Sequence, residues 1–215
     1  MSKPAAASSF VNHADPVWDA EFYNSGRFVR APYEAVASFV YRHAPARPRS
    51  EVRILELGCG SGNNVWFLAS EGFHVAGTDA SERAIEYARR RLSDSGLAAD
   101  LRVAAFPDLP FADASFDLAC ERAALVYIPP EVATLALQQV QRVLVPGGKF
   151  FFNPYSGHEG SAEVGYTCYW TREMIEQSFA QGWKILRLHH AELRDALHGN
   201  QLVCGDWRVE VERTP

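Results

Sequence analysis

The sharpest chemical signal in this 215-residue chain is the run Glu56-Leu57-Gly58-Cys59-Gly60-Ser61-Gly62-Asn63-Asn64. It follows a short apolar stretch, Val52 to Leu57, and opens a helical one. Glycines at such a strand-to-helix turn permit positive φ and close approach of the backbone to a ligand. The first amides of the helix attract carboxylate or phosphate. Asp79 closes the next strand, where a carboxylate can grip ribose hydroxyls.

Two kinds of nucleotide use this arrangement. A dinucleotide fingerprint wants Gly or Ala three places after Gly60, to let the helix pack on the sheet. That place holds Asn63, and the third glycine is Gly62. Glu56, two places before Gly58, would repel a pyrophosphate and attract an ammonium or sulfonium group. With these residues the chain resembles the class I S-adenosylmethionine-dependent methyltransferases, over about residues 52 to 213. The resemblance implies S-adenosylmethionine as cofactor, with Glu56 through Gly62 as the motif that holds its methionine end. It makes Asp79 the ribose-binding acid, next to Ala80, and makes Phe106-Pro107-Asp108-Leu109-Pro110-Phe111 the segment that flanks the adenine. Relatives often place an acid where Ala105 stands, so the adenine contact passes to the Phe106 backbone or to Asp108. The implied cofactor set is Trp18, Tyr23, Glu56, Gly58, Cys59, Gly60, Asn63, Asn64, Asp79, Ala80, Phe106 and Glu121.

On the acceptor side, Glu121-Arg122-Ala123-Ala124-Leu125-Val126 is similar to the strand exit of thiopurine and related small-molecule methyltransferases, with Ala123 in place of glycine. Arg122 could orient an anionic acceptor and Glu121 could take a proton. His158 follows the fifth strand in a stretch, Pro154 to Trp170, long for a loop and rich in aromatics (Tyr155, Tyr166, Tyr169, Trp170). Glu121, Arg122 and His158 are therefore the candidate catalytic residues, Glu121 and Arg122 competing with a plain ion pair at a strand end. Cys59 and Cys120 read as small buried hydrophobes rather than nucleophiles. Arg89-Arg90-Arg91 reads as a solvated helix face. The expected reaction is methyl transfer to an O, N or S atom of a small, aromatic acceptor. A nicotinamide-dependent oxidoreductase and a non-catalytic cofactor-binding module stay open beside it.

Positioning these residues requires an alternation of strands and helices. Strands are expected at Val52–Leu57, Phe73–Thr78, Leu101–Ala105, Phe116–Cys120 and Lys149–Asn153. Helices are expected from Pro32, from Asn63, from Ser81 as N-cap, over Glu131–Leu144, and from Thr171 to about Ala180. Two strand-like runs, Lys184–Glu192 and Val203–Arg213, follow. In the second, Trp207, Val209 and Val211 alternate with charged residues, which marks an antiparallel strand. The fold expected is a Rossmann-like, mostly parallel α/β sheet with helices on both faces and a C-terminal antiparallel pair. Residues 1–50 form a tail and helical lid hinged at Gly26 and Pro45–Pro48, and residues 51–215 form the methyltransferase domain. The rings of Phe10, Trp18, Phe22, Tyr23 and Phe28 are the reason for placing the lid over the ligand cleft.

Composition excludes other classes. The chain is 47% hydrophobic and 22% charged, which rules out disorder. A net charge of −5 offers no broad basic field for nucleic acid. The four cysteines form no CxxC pair, so no metal is expected. No apolar run reaches the length of a membrane span and the N-terminus lacks a secretory pattern. The expectation is a cytoplasmic protein with a small-molecule acceptor as its partner and neither nucleic acid nor membrane. Oligomeric state is not encoded in any motif.

Overall fold

The computed structural model describes Trp18, Tyr23 and residues 28–158, 167–197 and 201–215. Phe10, Phe22, Gly26, Tyr166 and residues 198–200, between the two C-terminal strand-like runs, lie outside the described residues. Among the described residues five α-helices and eight strands alternate: α1 (Glu34–His43), β1 (Arg53–Leu57), α2 (Asn63–Ser70), β2 (His74–Asp79), α3 (Glu82–Asp94), β3 (Asp100–Val103), β4 (Phe116–Arg122), α4 (Pro130–Val143), β5 (Leu144–Asn153), β6 (Tyr155–His158), α5 (Arg172–Ser178), β7 (Trp183–Asp195) and β8 (Gln201–Arg213).

Strands β3-β2-β1-β4-β5 lie side by side and parallel. β8 then runs antiparallel to β5, and β7 antiparallel to β8. This is the mostly parallel sheet with an antiparallel finish that the alternation predicts. One difference is instructive. The segment after β5 is not loop throughout, because Tyr155–His158 forms β6, paired with Cys204–Asp206 of β8. Phe152 already faces Val209 of the same strand. β6 therefore continues β5 along one edge of β8, across Pro154, whose carbonyl accepts from the Trp207 amide at 2.9 Å. Pro154 lacks the N–H that an uninterrupted ladder needs.

Strand parity sorts the core into two layers. Ile54, Leu118, Cys120 and Phe151 pack under α1, α2 and α3. Leu55, Leu57, Ala119, Phe150 and Phe152 pack under α4 and α5. Local signals place the helices. Ser81 Oγ accepts from the Ala84 amide at 3.0 Å and Thr171 Oγ1 from the Met174 amide at 3.2 Å, so both are N-caps as read from the sequence. Helix α1 begins after Pro32, with Tyr33 as its N-cap.

The α1 helix is a fixed part of this core. Val36, Phe39 and Val40 are at most 1% exposed, and the Phe39 ring stacks on Phe151 at 5.4 Å. Burying three such side chains stabilises by roughly 1.5–3 kcal/mol each. Glu210 of β8 holds the helix end, through His43 Nε2 at 2.7 Å and Arg42 Nη1 at 2.5 Å. The Pro45–Pro48 segment is pinned as well, because Arg47 pairs with the buried Asp117 at the start of β4. Any lid movement must therefore involve residues before α1.

Candidate functional site

The glycine loop joins β1 to α2 at the carboxyl ends of the parallel strands, the edge at which sheets of this kind bind ligands. Gly58, Gly60 and Gly62 have φ of 62°, 52° and 75°. Two of them also sit where a side chain has no room. A Cβ on Gly58 would lie 2.3 Å from Ala124 Cβ at the β4 exit, and one on Gly62 would lie 2.8 Å from Ala88 Cβ on α3. Gly62 is thus the residue that lets the start of α2 approach α3.

Asp79 secures the loop from the neighbouring strand. Its Oδ2 accepts from the Gly60 amide and its Oδ1 from the Ser81 amide, each at 2.9 Å. A carboxylate offers about four lone-pair sites, so these bonds leave it able to accept hydroxyls as well.

Glu56 is 3% exposed. Its Oε1 accepts from Asn64 Nδ2 at 2.6 Å, and its Oε2 is buried with no hydrogen-bond partner among the described residues. Burial pushes the carboxyl up to about 8, against the pull of the Asn64 amide. A buried, half-satisfied acid is costly unless something completes it. The Asn64 side chain is a relay, since its Oδ1 accepts from the Tyr33 amide at 2.8 Å. Asn63 Nδ2 donates to the Ala31 carbonyl at 3.0 Å. Arg91 donates to the Val29 carbonyl at 3.1 Å, and the Phe28 ring rests 4.4 Å from Tyr87. Residues 28–33 therefore form a strap bound to α2 and α3 across the mouth of the loop.

A cavity of about 370 Å³ extends from this loop to the exit of β4. It brings together Trp18, Tyr23, Glu56, Gly58, Cys59, Gly60, Asn63, Asn64, Asp79, Ala80, Phe106 and Arg122 from the residues singled out in the sequence. Burial drives the Cys59 thiol well up, so it is a protonated packing group. Tyr155, named in the sequence among the aromatics after the fifth strand, walls the far end together with Tyr33, Tyr127 and Ile128, of which the sequence reading missed Tyr127 and Ile128. Trp18 meets Tyr127 edge-on at 4.7 Å. Arg122 lies over the Tyr33 ring at 4.4 Å and the Tyr155 ring at 5.0 Å, and donates to Tyr155 Oη at 2.7 Å.

Glu121 is corrected. It does not line the cavity, either as a base or as a cofactor ligand. The residue is wholly buried, with strand parity matching Ala119 on the α4 face. Its carboxylate accepts from the amides of Ala124, of Leu125 at 2.9 Å and of Asn153 at 3.4 Å. It thereby braces the turn in which Ala123 adopts φ 52°. The His158 backbone lies opposite Cys204, and its side chain is outside the described residues. Among the described residues no group of three His, Cys, Asp or Glu side chains could hold a metal, and no helix is long and apolar enough to cross a membrane.

A Rossmann-like sheet with this loop, this acid after β2 and a pocket at the strand ends is similar to a class I S-adenosylmethionine-dependent methyltransferase domain. Residues 54–148 match the family model described as a methyltransferase domain. The malonyl-[acyl-carrier protein] O-methyltransferase of Erwinia pyrifoliae is 36% identical over 120 residues, covering 54% of this chain and 41% of that protein. A ubiquinone biosynthesis O-methyltransferase of Aromatoleum aromaticum is 33% identical over 102 residues, covering 47% and 43%. The chain thus spans about two fifths of the curated relatives it matches. The Burkholderia thailandensis 1,6-didemethyltoxoflavin-N1-methyltransferase, solved with its acceptor and S-adenosylhomocysteine, shares the fold at a TM-score of 0.74 and 17% identity, covering 100% of this chain and 93% of that one. A Methanosarcina mazei S-adenosylmethionine-dependent methyltransferase does so at 0.68 and 21%, covering 86% and 99%.

The cofactor of this class is S-adenosylmethionine, and the residues present fit it. The unpartnered Oε2 of Glu56 suits an ammonium group.

Proposed function

We propose that the protein is an enzyme that transfers a methyl group from S-adenosylmethionine to an O, N or S atom of a small, flat acceptor. The observation that carries this reading is the single cavity with two unlike ends. Glu56, the glycine loop, Asp79 and Phe106 form one end, and Arg122 with Trp18, Tyr33, Tyr127 and Tyr155 forms the other. When bound, the cofactor supplies a methyl carbon made electrophilic by its sulfonium. Glu56 and the loop would hold the methionine end, Asp79 the ribose, and Ala80, Ala105 and Phe106 the adenine side. The aromatic wall would sandwich the acceptor and exclude water. Holding the two reactants at the right distance and angle can supply roughly 7 to 11 kcal/mol of barrier reduction in ideal cases.

Residues 28–33, with Trp18 and Tyr23, are the lid in this reading, opening to admit ligands and closing over them. Transfer of labelled methyl from S-adenosylmethionine to a panel of phenols, amines and thiols tests the activity. Failure to bind S-adenosylhomocysteine, or absence of transfer to every nucleophile class offered, would sink it.

A further inference from the structure

Arg122 is a half-buried cation with an incomplete set of partners among the described residues. Among the described residues no carboxylate lies within ion-pairing distance of its guanidinium. Among the described residues its hydrogen bond goes to Tyr155 Oη, and two aromatic faces, Tyr33 and Tyr155, cover it. A guanidinium carries five N–H donors in a planar fork. The unspent donors belong to a side chain that lines the cavity. Asp206 contributes to the field at Arg122, but it is engaged by Asn153 Nδ2 at 2.9 Å and by Arg208 Nε at 3.5 Å.

The cavity is also polarised. Its carboxyl groups, Glu56 and Asp79, belong to the glycine-loop end, and its guanidinium belongs to the β4 exit. No base stands beside Arg122 among the described lining residues. Glu121 is turned into the α4 layer, and burial keeps the Tyr33 and Tyr127 hydroxyls protonated. A neutral acceptor would leave the guanidinium desolvated and unpaired, which is costly. A planar anion would satisfy the fork with two parallel hydrogen bonds and lie against the rings.

We propose that the acceptor enters as a flat anion, a phenolate, enolate, carboxylate or deprotonated heteroaromatic ring, with its charge on Arg122. The proposal rests on the methyltransferase reading and narrows its acceptor class. The anion's lone pair forms the new bond to the methyl carbon, and the electron pair of the broken carbon–sulfur bond stays on sulfur. The negative charge of the acceptor and the positive charge of the sulfonium donor vanish together, so there is no proton to place and a base is not needed.

The test is binding rather than turnover. With S-adenosylhomocysteine at saturation, calorimetry compares 4-nitrophenolate with 4-nitroanisole and benzoate with benzamide. The anion of at least one pair should bind tenfold or more tightly than its neutral twin. Arg122→Met should abolish that preference, and Arg122→Lys should restore part of it. Melting temperature and S-adenosylhomocysteine affinity, measured on each variant, identify loss of folding, in which case the wild-type preference and the Lys variant decide. Neutral twins binding as well as anions, or no anion binding at all, overturns the proposal. Loss of S-adenosylhomocysteine binding in the wild type would instead defeat the underlying cofactor assignment, so the two failures are distinguishable.

Discussion

Glu56 ties cofactor affinity to pH. Its buried carboxyl holds a proton up to about 8, whereas the same group in an unfolded chain ionises near 4.5. An ammonium group gains from the site only when that proton has left. Between about pH 6 and about pH 7 the ionised fraction rises roughly ninefold, from about 1% to about 9%. Over the same interval a free α-amino group with a pKa near 7.8 loses little charge, so affinity for S-adenosylhomocysteine should rise about eightfold. Calorimetry in buffers of different ionisation enthalpy should report release of about 0.8 proton per ligand at about pH 7. Glu56→Gln should bind more weakly, and its affinity should not rise over this interval. The linkage has a second face. Between 4.5 and 8 the folded protein binds more protons than the unfolded one, so this group's contribution to stability falls as pH rises. The full loss is at most on the order of 5 kcal/mol, visible as the difference between wild type and Glu56→Gln in denaturant titrations. Equal affinities at the two pH values, or an unchanged slope in the Gln variant, would refute the placement of the ammonium at Glu56.

Other expectations are more direct. Asp79→Ala should weaken S-adenosylhomocysteine binding by on the order of 1.5–3 kcal/mol, and unchanged calorimetric affinity would remove Asp79 from the site. Gly58→Ala combines a positive-φ cost of about 1–2 kcal/mol with the collision at Ala124, so a stable variant of undiminished affinity would contradict the loop geometry. Glu121→Ala should lower stability by about 2 kcal/mol or more, since it strands the amides that its carboxylate satisfies, and should lower the melting temperature by roughly 4–8 °C. Asn64→Ala should both weaken ligand binding and expose the strap to cleavage at Arg30. In the wild type, S-adenosylhomocysteine should slow that cleavage, and equal rates with and without ligand would count against a lid.

The loop was legible because its chemistry is local. Glycine spacing, the flanking strand and helix, and the acid after β2 all lie close together in sequence. Strand alternation likewise announced the parallel sheet and the antiparallel finish. Glu121 was misplaced because a polar residue at a strand end looks the same whether it meets a ligand or a turn. Only the parity shared with Ala119, and the curl of the chain at Ala123, tell the two apart. β6 was hidden because Pro154 breaks the local strand signal and β6 depends on pairing with a strand more than forty residues away. The tyrosines around Arg122 come from the α1 cap, the β4 exit and β6, a convergence that only the tertiary fold creates. Asn64 carries no motif for its second role, because its partner Tyr33 lies 31 residues upstream.

Tyr33 belongs to both halves of the cavity. Its amide hangs on Asn64, which holds Glu56, and its ring lies beneath Arg122. A ligand that draws on Glu56 and a ligand that draws on Arg122 therefore bias the position of one and the same residue. Such coupling is reciprocal by thermodynamic necessity. By whatever factor the nucleoside ligand tightens or loosens the hold on the acceptor, the acceptor alters the hold on the nucleoside by that same factor, and the strength of this cooperativity is set by how firmly Tyr33 is seated.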